Sequence, residues 1–262
     1  MTTAELAPTT ARSLLKPSVN WLLVFIPIAY LLDKSHAAPP IVFFSAALAI
    51  VPAAKLIVHA TEQIATRTGD AVGGLLNATF GNAPELIIAT VALRAGLMDL
   101  VRASIIGAIL ANLLLALGLS MLLGGLRYHD QRYNADASRM YSSMMLVAVI
   151  TLIIPGALEG SFSDAQFTPQ VLSLNTALAI VLLVAYVLYL LFMLKTHPQL
   201  FKSAAGKDAE HHGPAWSARR AIVSLVGASV VAAWMSEILV GAAEGTGKSL
   251  GMSQVFIGLV LV

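Results

Sequence analysis

From residue 19 onward the chain is a succession of apolar runs, most of them of membrane-crossing length, separated by polar breaks. The first, residues 19–32, is only 14 residues long, whereas a helical crossing takes about 20. It reads as a short span, tilted or in a thinned bilayer, in preference to a re-entrant piece or an interfacial helix. Residues 41–65 form a full-length helix interrupted by Pro52, and residues 72–93 and 101–123 follow as two more. Residues 140–157 and 170–194 are plainer spans without internal charge, and scaffold roles are expected for them. Residues 196–217 are the longest polar segment, with Lys202, Lys207, Asp208, Glu210, His211 and His212 punctuated by Gly206, Gly213 and Pro214. A solvated linker explains it better than an ion-sensing element does. Residues 221–243 return to the membrane, and residues 252–262 begin another apolar helix.

Composition fixes the class. The chain is 58% hydrophobic and 11% charged, with a mean hydropathy of +0.81, against about 25% charged residues in an ordinary soluble domain. The expected fold class is an all-α polytopic membrane protein, with the lipid bilayer as its first partner and no nucleic-acid surface. There are no cysteines, so no disulfide framework exists. The first 17 residues lack the apolar core and small-residue site of a cleavable signal peptide. Net charge, +2, says less than its placement. One set of loops holds Arg12, Lys16, Arg67, Arg127, Arg132, Arg139, Lys195, Lys202, Lys207, Arg219 and Arg220; the other holds Lys34, Arg94, Arg102 and Lys248. The positive-inside rule then puts the N-terminus and the linker in the cytoplasm, on condition that residues 19–32 cross.

Polar residues inside the apolar runs carry the chemistry. Residues 73–90 contain Asn77, Gly81, Asn82, Pro84 and Glu85 in an otherwise apolar segment. An acidic side chain at mid-bilayer depth costs about 2.5–3.5 kcal/mol, so such residues face a bundle interior and act there. Pro84 removes a backbone donor and clashes one turn back, which bends or opens the helix and frees oxygens beside Glu85. A carboxylate, two amides and freed carbonyls are hard oxygen ligands of the kind calcium takes. Glu85 and Asn82 are therefore the expected metal ligands, with Asn77 beside them.

Three other helices add candidates. Lys55, His59 and Glu62 lie four and three apart on one helical face. A polar helix end reaching the interface explains Lys55 and His59 equally well, and Glu62 less well. Ser104, Ala108 and Asn112 are four apart, flanked by Gly107 and Ala111; small residues at this spacing let backbones approach closely. Packing suffices for Ser104, but the Asn112 amide needs a partner in hydrocarbon. Glu237 and Glu244 are seven apart. Gly245 and Gly247 suggest that Glu244 ends its helix in water, while Glu237 lies deeper. His59 and Glu62 could also hold zinc in an intramembrane metalloenzyme, but no HExxH and no clear third ligand accompany them. A cation channel would also place carboxylates and amides along a pore.

The segments GGLLNATFGNAPELIIATVALRAG and SIIGAILANLLLALGLSMLLGG closely resemble the first repeat of the calcium/proton exchanger (CAX) family of cation antiporters. HATEQIATRTGDAVGG and SEILVGAAEGTGKSLGMSQVFIGLVLV resemble the approaches to its two repeats. The resemblance implies an inverted-repeat cation exchanger whose paired signature helices meet at mid-membrane, each with a glutamate in a GNA-containing motif. Glu85 matches the first of these glutamates, with Asn82 as helper, and Glu62 matches an acidic position in the cation path. It implies exchange of a divalent cation, Ca2+ or another, for H+ with no cofactor, in a bacterial inner membrane or a vacuole-type membrane; a sodium/calcium exchanger is the nearest alternative.

On this resemblance the chain divides into an N-terminus with a short first helix (1–40), a first five-helix repeat (41–195), a cytoplasmic linker (196–218), and the first helix of a second repeat with the start of the next (219–262). The second signature motif would follow residue 262, so the second repeat is expected to be largely missing from this chain. The expected partner is then that C-terminal half, or a second copy in a homo-oligomer.

Overall fold

A computed structural model describes residues 18–68, 75–76, 79–131, 133–159, 169–197 and 216–260. All regular structure among the described residues is helical, and five helices are long and apolar enough to cross a membrane. The described chain forms two compact units, one from Met1–Arg67, Leu76–Leu119 and Trp216–Val262, the other from Thr68–Leu75 and Ser120–Ala215.

The first unit opens with a 3-10 turn, Val19–Val24, capped by the Ser18 hydroxyl. It runs into α1, Phe25–Lys34. Six residues at about 2.0 Å and ten at about 1.5 Å per residue give about 27 Å end to end, just short of the bilayer's apolar thickness of about 30 Å. The expected short span is thus split in two, and α1 is not among the five spanning helices.

α2, Pro39–Thr68, is 30 residues long. Two prolines at its start cost nothing, because first-turn amides have no intrahelical acceptor. Pro52 was expected to interrupt it, but the helix continues through this buried residue. The antiparallel partner is α7, Ala218–Leu250. Val42, Phe43, Ala46 and Ile50 pack with Met235, Ile238, Leu239 and Ala242. One stretch further along, Ala53, Ile57 and Ala60 meet Leu225, Ala228 and Ala232. Both faces are rich in alanine, and small residues suit helix packing in lipid, which supplies no hydrophobic driving force of its own. The buried hydroxyls of Thr61, Ser236 and Thr246 donate to carbonyls four residues back, so none is stranded.

α3, Ala83–Arg94, packs on α7, and α4, Met98–Arg127, follows it through a tight turn. Gly96 takes the left-handed conformation there (φ 77°), and the Leu97 N–H reaches back to the Ala92 carbonyl. α7 extends to Leu250 and ends at Gly251 (φ 67°), which corrects the expectation that Glu244 marks a helix end. Glu244 instead lies within the helix, its carboxylate 2.7 Å from Lys248 Nζ. The closing helix of this unit, α8, Gln254–Val260, packs against the first half of α4.

In the second unit α5, Ala135–Glu159, packs with α6, Pro169–Leu191, which ends in a π turn, Phe192–Thr196. Asn134 caps α5 by accepting from the Ala137 N–H at 3.0 Å, and the Tyr141 and Tyr189 rings lie 6.2 Å apart. The expected linker falls almost wholly outside the described residues.

Gly251 has open space where a Cβ would stand, so Gly251→Ala isolates the backbone cost. A left-handed L-residue costs about 1–2 kcal/mol, and the variant should unfold at a lower temperature in detergent by a matching amount.

Candidate functional site

The helix that carries the carboxylate is broken where the sequence is least helical. Gly81 and Asn82 form a turn, and Asn82 (φ −108°, ψ 17°) sits outside helical geometry at the start of α3. Pro84 is in the first two helical positions and buried, where proline's missing N–H is harmless. Glu85 therefore falls in the first turn of α3, next to the positive end of the helix dipole, which favours a negative charge. The helix expected over residues 72–93 is thus interrupted at Gly81 and Asn82. Residues 69–74 and 77–78, Asn77 among them, lie outside the described residues.

Glu85 borders two cavities. One, of about 540 Å³, is lined by Asn82, Glu85, Ser104, Gly107, Asn112 and Leu259, among others. Four polar candidates from α3 and α4 thus meet in one space. The Ser104 hydroxyl donates to the Val101 carbonyl at 2.9 Å, which leaves its oxygen lone pairs available. Asn112 lies at the opening of a π segment, Ala111–Ala116, inside α4; such bulges recur at functional sites. The other cavity, of about 410 Å³, is walled by Phe44, Leu48, Val51, Pro84, Ile88 and Leu239 beside Glu85. Glu85 and Ile88 are thus on the wall of both spaces, one holding the polar side chains and the other lined chiefly by apolar ones.

The remaining candidates line neither cavity. His59 and Glu62 pair with each other (Nδ1 to Oε2, 3.6 Å), both substantially exposed. The His59 ring meets the edge of Trp216 at 4.8 Å. Trp216, just ahead of α7, donates its backbone N–H to the buried Gln63 side chain at 2.9 Å, and its carbonyl accepts from Arg67. Arg220 lies 4.3 Å over the indole, within reach of a cation–π interaction. The stripe of Lys55, His59 and Glu62 therefore leads to a clasp between the end of α2 and the start of α7. Glu237 is exposed on α7, outside both cavities. Among the described residues no three His, Cys, Asp or Glu side chains converge as a metal site, and the zinc alternative gains nothing.

Two contributors were not anticipated. Leu259 enters the polar cavity from α8, and the only advance sign was its place in an apolar run. The Trp216–Gln63 bond joins residues 153 apart, and no local pattern marks it.

A polytopic helical protein whose broken helix delivers a lone carboxylate to a polar cavity belongs to the class of membrane ion transporters, where discontinuous helices form the substrate sites. The sequence profile of the sodium/calcium exchanger protein family matches residues 39–195, and the chain belongs to that family. It is 39% identical over 255 residues to a Ca(2+)/H(+) antiporter of Aphanothece halophytica, covering 92% of this chain and 68% of the relative. It is 35% identical over 239 residues to the Ca(2+)/H(+) antiporter ChaA of Bacillus subtilis, covering 90% of this chain and 67% of the relative. With vacuolar cation/proton exchanger 2 of Oryza sativa it shares 36% identity over 95% of this chain and 59% of the relative. The solved structure of native YfkE matches with a TM-score of 0.72 at 30% identity, covering 93% of this chain and 67% of that one. The chain thus spans about two thirds of the bacterial relatives and less of the vacuolar one.

Because Glu62 is outside both cavities, Glu62→Gln should retain exchange while lowering its apparent calcium affinity or rate. Calcium uptake by inverted membrane vesicles across a range of calcium concentrations checks this. Loss of all transport would place Glu62 among the ligands.

Proposed function

We propose that this protein exchanges Ca2+ for H+ across a membrane, with Glu85 binding the cation and the proton in alternation. One observation carries this reading: Glu85, Asn82, Ser104 and Asn112 line a single cavity at the break between two helical segments. The relatives named as Ca(2+)/H(+) antiporters and cation/proton exchangers support the choice of ions. Calcium takes 6–8 oxygen ligands. The Glu85 carboxylate offers two, and the two amides and the hydroxyl one each. The shortfall is made up by backbone carbonyls, water, and groups contributed from outside this chain. The relatives extend beyond the matched region, and a second signature glutamate there would supply the missing negative charge.

Coupling follows from one carboxylate having two uses. Ionised, it coordinates calcium; protonated, it is neutral and far cheaper to hold in a low-dielectric site. The two states exclude each other, so one ion leaves as the other arrives. The polar and apolar cavities flanking Glu85 give the carboxylate two sides from which to be reached.

The repeat organisation, residues 41–195 followed by a second repeat from residue 219, is part of the same reading. It is supported by the profile match over residues 39–195 and by a burial pattern common to α2 and α7. Ile50, Ala53, Ile57, Ala60 and Thr61 are buried, as are Leu225, Ala228, Ala232, Met235 and Ser236. Glu62 and Glu237 then follow as exposed residues at the same place in each helix. With the N-terminus in the cytoplasm, Arg67, Arg219 and Arg220 lie on the inner face, as the positive-inside rule demands.

Glu85→Gln should abolish proton-driven calcium uptake by inverted membrane vesicles while leaving the protein folded and inserted. Uptake near the wild-type rate would remove Glu85 from the mechanism. Replacing the proton gradient with a sodium gradient should give no uptake by the wild type; uptake driven by sodium would favour the sodium/calcium alternative.

A further inference from the structure

α8 is the wall of the polar cavity that comes from furthest along the chain, and it is seated by glycine. A Cβ on Gly107 of α4 would stand 2.3 Å from the Leu259 carbonyl oxygen, where ordinary contact begins at 3.4 Å. In the other direction, a Cβ on Gly258 would stand 2.7 Å from the Leu100 carbonyl oxygen and 2.8 Å from Ala103 Cβ. The two helices therefore touch backbone to backbone, each through the other's missing side chain. Gly107 and Gly258 are both buried, and Gly107 and Leu259 both line the cavity with Asn82, Glu85, Ser104 and Asn112. The turn before α8 is pinned as well: the Met252 N–H donates to the Gly247 carbonyl at 2.8 Å, and Ile257 is fully buried in the main core.

We propose that Gly107 is a positioning residue for the cation cavity: its lack of a side chain seats α8 so that Leu259 closes the space beside Glu85, Asn82 and Asn112. This rests on the reading of that cavity as the calcium site. The contact tolerates no added atom, because what a Cβ would meet is main chain, which cannot rotate aside as a side-chain tip can. One methyl group on Gly107 displaces α8 by about 1 Å, the difference between 2.3 and 3.4 Å. The cavity then widens at Leu259, and Ser104, three residues before Gly107 on the same helix, shifts against its partners. Calcium binding suffers first, since the ligands no longer converge on one point. The helix itself is not the weak link, because alanine is a better helix former than glycine.

Gly118 provides the matched control. It lies further along α4, and a Cβ there would meet nothing within 4 Å. Gly107→Ala should raise the KM for calcium by about ten-fold or more, as a misplacement of about 1 Å does at sites that depend on orientation, with kcat changed less. Gly118→Ala should match the wild type. The chain contains no cysteine, so Leu259→Cys introduces a single thiol. A membrane-impermeant thiol reagent should label it, calcium ions should slow the labelling, and that protection should vanish when Gly107→Ala is added. Labelling reports occupancy of the cavity without requiring transport.

An unchanged KM in Gly107→Ala, or Leu259→Cys labelling indifferent to calcium, would overturn the proposal. Should Gly107→Ala fail to accumulate in the membrane, the Leu259→Cys result decides alone. Exchange that survives Glu85→Gln would instead sink the functional reading, whatever happens at Gly107.

Discussion

A negative charge cannot be placed among apolar helices without something to offset it, and here the offset is a helix end. Gly81 and Asn82 stop one helical segment, Pro84 is accommodated in the first turn of the next, and Glu85 follows immediately in the region where free N–H groups and the helix dipole favour an anion. Had the helix run unbroken through this stretch, the carboxylate would have met only satisfied backbone. The two cavities and the convergence of Asn82, Ser104 and Asn112 all depend on that interruption.

The interruption in turn depends on a rigid frame. α2 and α7 run antiparallel with alanine-rich faces in shared clusters, and α3 and α8 dock on α7 and on α4. The frame is fastened at one end by Trp216, whose N–H and carbonyl are both bonded to side chains of α2. Partly buried Phe80, Ala83 and Ile87 pack on the same cluster as Trp216. The clasp and the broken helix therefore share a core, so a shift at one is felt at the other.

Much of this was legible in the sequence because the bilayer leaves so few choices. Apolar runs located the long helices, although α2, α4, α5 and α7 each extend past the apolar stretch into polar residues. Hydropathy marks the lipid-facing part of a helix, while its ends are set by capping, as at Gly251. The unsuitable residues at 81–85 pointed to the site for the same reason that they break the helix. Pro52 misled, since a proline in a long helix can be absorbed when its surroundings are well packed. The first helix misled by length alone: a 3-10 turn stretches fewer residues over more distance. The small residues around Gly107 did signal a close backbone approach, but Leu259 as its partner and the Trp216 clasp were not legible, because each depends on contacts between residues more than a hundred positions apart.

Among the described residues Glu85 is also the only acidic side chain on the wall of either cavity, and this bears on insulation. Glu85 and Ile88 line both spaces, so the seal between them depends in part on the charge state of the carboxyl. A neutral carboxyl can lie against apolar walls and keep ions out, whereas a bare carboxylate draws water after it. A protein built this way leaks least when it is always carrying something. Tightness then becomes a matter of how briefly the empty, ionised state lasts, more than of how thick the barrier is.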